Sequence, residues 1–294
     1  MGLMDVLLKY VRKNVSVKVA LLLTPPLIFL AVWFYAPFLI VGLYSFDMIN
    51  IYREITFTPS LVHYSRVLSW TGASGIFLRS LYFAGINVLL CLLLGYPVAY
   101  YISFKVKKYK DVYIILFIIP FWVSFLIRTY AMMGLLDERS FFNTILLSLA
   151  IIDSPIKIMY TDVAVILVMV YNYLVMMVLP LYANLEKLDK TLLEAASTLG
   201  AGPVRTFLKV TLPLSMPGIM AGFLLVFIPS VGEFVIPELV GGPSNYMVGN
   251  IIYEIFMGAR HWWVGSALSM LFIAFILSLV IIYIRGVGER GLAI

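Results

Sequence analysis

Six apolar runs, each long enough to cross a bilayer, leave this chain few ways to fold. A hydrocarbon core of about 30 Å needs roughly 20 apolar residues per helix. The runs cover residues 19–46, 76–104, 112–136, 163–184, 214–236 and 266–284. In hydrocarbon the backbone must satisfy its own hydrogen bonds, and single runs of this length do so as helices. Composition agrees: 63% of the 294 residues are hydrophobic and 12% are charged, against about 25% charged in soluble domains. An ordinary soluble enzyme, a disordered chain and a nucleic-acid-binding domain are excluded. The expected fold class is an all-α polytopic membrane protein with six transmembrane helices. Residues 1–18 form an N-terminal segment, 19–285 one transmembrane domain and 286–294 a tail. Lys9, Arg12, Lys13 and Lys18 precede the first run as in a signal peptide. That run is too long for a signal peptide and lacks an obvious small-residue cleavage site, which predicts a retained anchor.

The basic residues orient the spans. Fourteen Lys/Arg fall on one side: four at the N-terminus, then Lys105, Lys107, Lys108, Lys110, Lys187, Lys190, Arg205, Lys209, Arg285 and Arg290. Six fall on the other: Arg53, Arg66, Arg79, Arg139, Lys157 and Arg260. This bias predicts that both termini face the cytoplasm. The opposite segments carry Tyr52, Trp70, Phe141, Tyr246, Trp262 and Trp263. These suit an interfacial aromatic belt or a platform for an external partner. The single cysteine, Cys91, lies in an apolar run and reads as an inert buried thiol. His63 and His261 have no metal-ligand spacing around them.

Residues 185–213 read LEKLDKTLLEAASTLGAGPVRTFLKVTLP, too organised for a linker. Leu185, Leu188, Leu192, Ala196 and Leu199 recur at spacings of three and four, which predicts an apolar stripe on one helix face. Thr191 and Glu194 have capping-box spacing, and Asp189 competes as N-cap. Ala195 and Ala196 allow close approach of another backbone, and Gly200 suits a left-handed stop. Gly202-Pro203 forces a turn, and a second short helix is expected over 204–210. An amphipathic helix on lipid headgroups would be lined with cations. This helix mixes acids and bases, so it points to a protein partner.

In this register the segment resembles the EAA signature of binding-protein-dependent ABC importer permeases. Glu194, Ala195, Ala196, Gly200, Val210, Leu212 and Pro213 fall on the signature, with Val210 where isoleucine is usual. The resemblance implies a type I importer permease whose loop is a coupling helix seated on an ATP-binding subunit. Leu94-Gly95-Tyr96-Pro97, PFWVSFLIRTY at 120–130 and PSVGEFVIPELVGGP at 229–243 resemble the polyamine (spermidine/putrescine) permeases. The likeness departs at His261-Trp262-Trp263, where an acidic residue before a single tryptophan is expected. The resemblance implies several partners: a dimer of ATP-binding subunits, a second permease subunit (a paralogue in such systems), an external solute-binding protein and membrane lipid, with no nucleic acid. No phosphate loop occurs in this sequence. No cofactor is expected on this chain; ATP and Mg belong to partner subunits, and the chain is non-catalytic.

Ionisable groups inside a membrane are costly and mark a cavity or a partner. Arg128 lies sixteen residues beyond residue 112, and Glu233 nineteen beyond residue 214. On straight helices these sit roughly 24 and 28 Å along their spans at about 1.5 Å per residue, at similar depth. Similar depth would let them pair; alternatively either group snorkels to the interface. Pro229 and Gly232 should loosen the helix before Glu233. Carboxylates and ring faces suit a polyamine, and Trp122, Tyr130, Tyr171 and Tyr173 are candidate ring donors on a translocation pathway, each also readable as packing or belt. The rivals are a permease for ferric iron, thiamine or an oxyanion, an ATP-independent secondary carrier, and a membrane scaffold.

Overall fold

Long apolar runs become helices here, and prolines decide where they break. The protein was analysed as a computed structural model describing residues 15–49 and 54–291. Most of the expected N-terminal segment, together with Tyr52 and Arg53, lies outside the described residues. The principal helices are α1 (Val15–Leu30), α2 (Ala36–Ser45), α3 (Ala73–Tyr100), α4 (Lys110–Ile118), α5 (Phe125–Leu136), α6 (Asp162–Leu185), α7 (Lys190–Thr198), α8 (Pro203–Thr206), α9 (Met216–Val231), α10 (Val248–Tyr253) and α11 (Trp262–Gly291). Among the described residues the only β feature is one antiparallel bridge, Ile49 to Ile55.

Four helices are long and apolar enough to cross a membrane unbroken: Leu22–Ser45, Ala73–Lys105, Asp162–Leu185 and Trp262–Gly286. Two further spans are bent pairs, Lys110–Trp122 with Phe125–Ser148 at 87°, and Pro203–Leu214 with Met216–Val231 at 62°. Counting each pair once gives six. The third span is therefore not the single helix expected over 112–136. Pro120 has no N–H to bond back into the helix. The chain tightens to a 3-10 turn at Ile119–Trp122, and Val123 and Ser124 are extended with ψ near 140° and 137°. The fifth span bends at Ser215, between Pro213 and Pro217. It ends at Val231 rather than 236, because Gly232 leaves the helix.

The chain divides into two compact units. One comprises Met1–Ser69 and His261–Leu271. Within it Trp263 donates its indole N–H to the Ile49 carbonyl at 2.6 Å, and Tyr44 packs on Trp262 and Trp263 at 5.9 Å. These tryptophans thus make contacts within their own unit. Along Leu22–Ser45 none of the most apolar window is buried.

The other unit, Trp70–Arg260 with Phe272–Ile294, has α6 as its hub: 56% of the apolar window of α6 is buried, against 33% for α3. Phe83, Val168, Met169, Met177, Val178, Leu181 and Val226 are fully buried where α3, α6 and α9 meet. Between α6 and α9 the approach depends on missing side chains. A Cβ on Gly222 would lie 2.6 Å from Met177 Sδ, and one on Gly218 2.7 Å from Asn184 Cβ. Lipid tails are as apolar as leucine, so membrane helices associate through close packing of small residues and through polar bonds. Both occur here. Asn87 on α3 donates to Ser230 Oγ on α9 at 2.7 Å, and Tyr96 and Ser215 share a hydrogen bond of 2.9 Å.

Candidate functional site

The segment between α6 and α9 forms a bracket. Its first part does not continue α6. Lys187 N–H donates to Asn184 O and Leu188 N–H to Leu185 O, both at 3.2 Å, so the chain turns before α7 begins. The stripe expected from Leu185 to Leu199 is accordingly divided. Leu185 is buried at the foot of α6, whereas Leu192 is 46% and Leu199 88% exposed on α7 and its C-cap. Leu193 and Ala196 are the half-buried positions of α7.

Asp189, not Thr191, is the N-cap of α7: its carboxylate accepts the Thr191 N–H at 2.9 Å. The Thr191 backbone N–H, and then its hydroxyl, hold the Asp189 carboxyl below its usual value. At the other end Gly200 has φ of +80°. Gly200 N–H reaches Ser197 O at 2.9 Å and Ala201 N–H reaches Ala196 O at 3.0 Å, a Schellman stop. Pro203 then opens α8, whose one turn relaxes into a π turn, Phe207–Thr211, where a second helix over 204–210 was expected. Glu194, Ala195 and Gly200 are exposed, while Ala196, Leu212 and Pro213 are half-buried. Val204 and Leu208 add exposed apolar area, 72% and 53%. Lys110 Nζ bonds both carboxylate oxygens of Glu186, at 2.8 and 2.9 Å, and Ser103 O at 2.6 Å. This ties the lysine-rich turn before α4 to the foot of α6.

Within the spans, Glu233 and Arg128 are each only 6% exposed, and they do not form the pair that similar depth suggested. Glu233 begins the turn that follows α9. Its Oε1 accepts backbone N–H groups from Phe234, Val235 and Ile236 at 3.1, 2.9 and 3.3 Å, and its Oε2 accepts the Tyr173 hydroxyl. A carboxylate at the start of a helical turn is favoured because it satisfies donors that lack an intrahelical partner. Arg128 instead stacks over Phe121 at 4.9 Å and donates weakly to Asn172 O at 3.5 Å; its Nε has no partner. The 87° break is the reason. It invalidates a depth counted along one straight helix and folds α5 so that Arg128 faces the Phe121 turn.

Of the candidate ring donors, Tyr173 is buried and committed to Glu233, while Trp122, Tyr130 and Tyr171 are 76%, 55% and 39% exposed. Asn250 escaped the sequence reading. Its amide donates to Phe234 O at 2.7 Å and to Glu238 Oε2 at 3.2 Å, and its Oδ1 accepts the Met247 N–H at 3.0 Å, holding α10 against the Glu233 turn. Asn172 was also missed; it donates to Val168 O at 3.0 Å beside Arg128. A lone amide in an apolar run is the signal that marks Asn172 and Asn87.

Comparison with known proteins places this geometry. The family described as "Binding-protein-dependent transport system inner membrane component" matches residues 91–293. The spermidine/putrescine transport system permease protein PotB of Salmonella typhimurium (strain SL1344) is 45% identical over 195 residues, covering 66% of this chain and 68% of that protein. PotB of Escherichia coli (strain K12) is also 45% identical over 195 residues, with 66% and 71% covered. PotB of Haemophilus influenzae is 43% identical over 207 residues, with 70% and 72% covered. A solved bacterial ABC transporter involved in the import of the acidic polysaccharide alginate superposes with a TM-score of 0.75 over 96% of this chain and 98% of that one. At 16% identity it shows a shared fold. With the family match covering well over half the sequence and up to six apolar spans, two of them bent, the chain belongs to the inner-membrane components of binding-protein-dependent transport systems, as a multi-pass permease subunit.

Proposed function

We propose that this chain is one of two permease subunits of a polyamine importer, driven by a dimer of ATP-binding subunits and supplied by an external binding protein. The observation that carries the coupling role is the bracket. It lies between α6 and α9, two of the helices that form the core. It also presents Leu192, Leu199, Val204 and Leu208 uncovered beside the Glu194-Ala195-Ala196 turn. Apolar side chains left exposed next to a rigidly capped helix suit a groove in another protein. The bracket joins α9 at the bend of Ser215, so a displacement of the bracket is delivered to the α6–α9 contact. Such a contact can switch between two packed arrangements when a partner binds one of them better. ATP and Mg reside on the partner subunits, both termini of this chain face the cytoplasm, and the second permease is a paralogue. The polyamine substrate is supported by PotB relatives at 43–45% identity.

The test is reconstitution of the chain with its second permease, ATP-binding subunits and binding protein in proteoliposomes. ATP-dependent uptake of labelled spermidine or putrescine is expected. Uptake that proceeds without the ATP-binding subunits would replace the importer reading with a secondary carrier. An intact, ATP-hydrolysing complex that moves another solute and no polyamine would remove the substrate alone.

A further inference from the structure

A groove of about 610 Å³ runs between the end of α3 and α4. Pro97, Val98, Tyr101 and Ile102 form one wall, and Tyr113, Leu116 and Phe117 the other. It arises from local backbone geometry. After Tyr100 the helix widens into a π turn, Tyr101–Lys105, whose last bond runs from Val106 N–H to Tyr101 O at 3.2 Å. Tyr109 then takes φ of +61° to reverse the chain into α4. The reversal joins the Ile102 wall to the Tyr113 wall through the sequence Lys105-Val106-Lys107-Lys108-Tyr109. Lys105, Lys107 and Lys108 are exposed, and no ion pair among the described residues includes them. Lys110 is already bound to Glu186 and Ser103.

We propose that this groove seats one anionic glycerophospholipid, with an acyl chain along the apolar walls and its phosphate on Lys105, Lys107 and Lys108. The walls select for hydrocarbon: apart from two tyrosine hydroxyls they hold no polar side-chain group. A peptide laid there would find few partners for its backbone N–H and C=O groups, which is prohibitive at membrane depth. The lysine-rich turn that joins the walls selects for charge. Three unpaired ammonium groups repel a polyamine and attract a phosphate, each favouring an anionic headgroup by about fivefold and together by roughly a hundredfold. Tyr101 and Tyr113, 60% and 50% exposed, stand one on each wall, and an amphipathic ring of this kind favours the headgroup level. The Lys110–Glu186 pair anchors the turn to α6, so the seat is preformed.

Native mass spectrometry of the whole transporter complex, extracted from membranes of mixed phosphatidylglycerol and phosphatidylethanolamine, reads the bound lipid directly. The wild-type complex should retain phosphatidylglycerol in excess over its share of the membrane. The triple variant K105Q/K107Q/K108Q should lose that excess, and K105R/K107R/K108R, which keeps the charge, should hold it. Val98→Trp, which fills the groove and leaves the lysines intact, should also lose it. Recovery of the ATP-binding subunits with each variant checks assembly. Three outcomes overturn the proposal: no excess in the wild type, an excess that survives the glutamine triple, or an excess that survives Val98→Trp. A Val98→Trp complex that sheds the second permease while keeping its lipid would make the groove a subunit interface instead.

Discussion

Glu233 shows how a single acid can be tolerated inside a span. Its charge is met by three backbone N–H groups and one tyrosine hydroxyl, without a cation. That arrangement dictates its mutational behaviour. Glu233→Gln keeps a carbonyl oxygen for the backbone donors, and the Tyr173 hydroxyl can rotate to accept from the new amide. Tyr173→Phe leaves one carboxylate oxygen bare. The two substitutions should be non-additive in thermal unfolding, with a coupling of about 1 kcal/mol, the difference between a hydrogen bond to a carboxylate and one to a neutral amide. Arg128→Gln combined with Glu233→Gln should be additive to within about 0.5 kcal/mol. A large favourable coupling in that second cycle would restore the ion pair. The sequence carries both ionisable residues plainly, but it left burial of each beside snorkelling as an equal reading. Their relative position was not legible. It depends on a bend at Val123–Ser124 that hydropathy does not register, because an apolar run broken by 87° has the same composition as a straight one.

At the scale of elements, α7 and its caps form the most legible part of the molecule. Asp189 and Gly200 are local devices, and local devices are written in the residues that perform them. What the periodicity did not reveal is the turn after Leu185, which divides one apparent stripe between two helices and leaves Leu199 uncovered. Leu199→Glu should abolish recovery of the ATP-binding subunits while the chain still inserts in the membrane. Undiminished recovery would remove the bracket from docking. Gly200→Ala meets no atom within 4 Å, so its cost is conformational alone, about 1 kcal/mol. It should weaken recovery by about fivefold. The pH response of the helix cap follows from the lowered Asp189 carboxyl. Its contribution is fully present above the ordinary value of 3.8 and is lost only as pH falls through the lower folded value. Recovery should therefore show no pH dependence from this group between about pH 5 and 8.

Across the whole molecule, the charge bias on alternate loops predicts one orientation, and labelling can check it. A cysteine placed at Ser244 should react with a membrane-impermeant thiol reagent from outside intact cells, and one at Ser197 should not. The reverse pattern would invert the topology and detach the bracket from any cytoplasmic partner. Span number was legible from apolar length. The identity of the hub was not, since α6 and α3 are about equally apolar, with hydropathies of 2.3 and 2.0, and differ in how much of each is buried. The polar bond between α3 and α9 also bears on the order in which the fold forms. Asn87 and Ser230 are each fully buried in the finished molecule. The Asn87–Ser230 bond joins helices more than a hundred residues apart in sequence. Until those helices meet, the Asn87 amide has hydrocarbon or the helix's own carbonyls for company. Helices α3 and α9 thus gain stability by arriving together. Membrane assembly of the unit built on α6 is therefore cooperative where those helices pack.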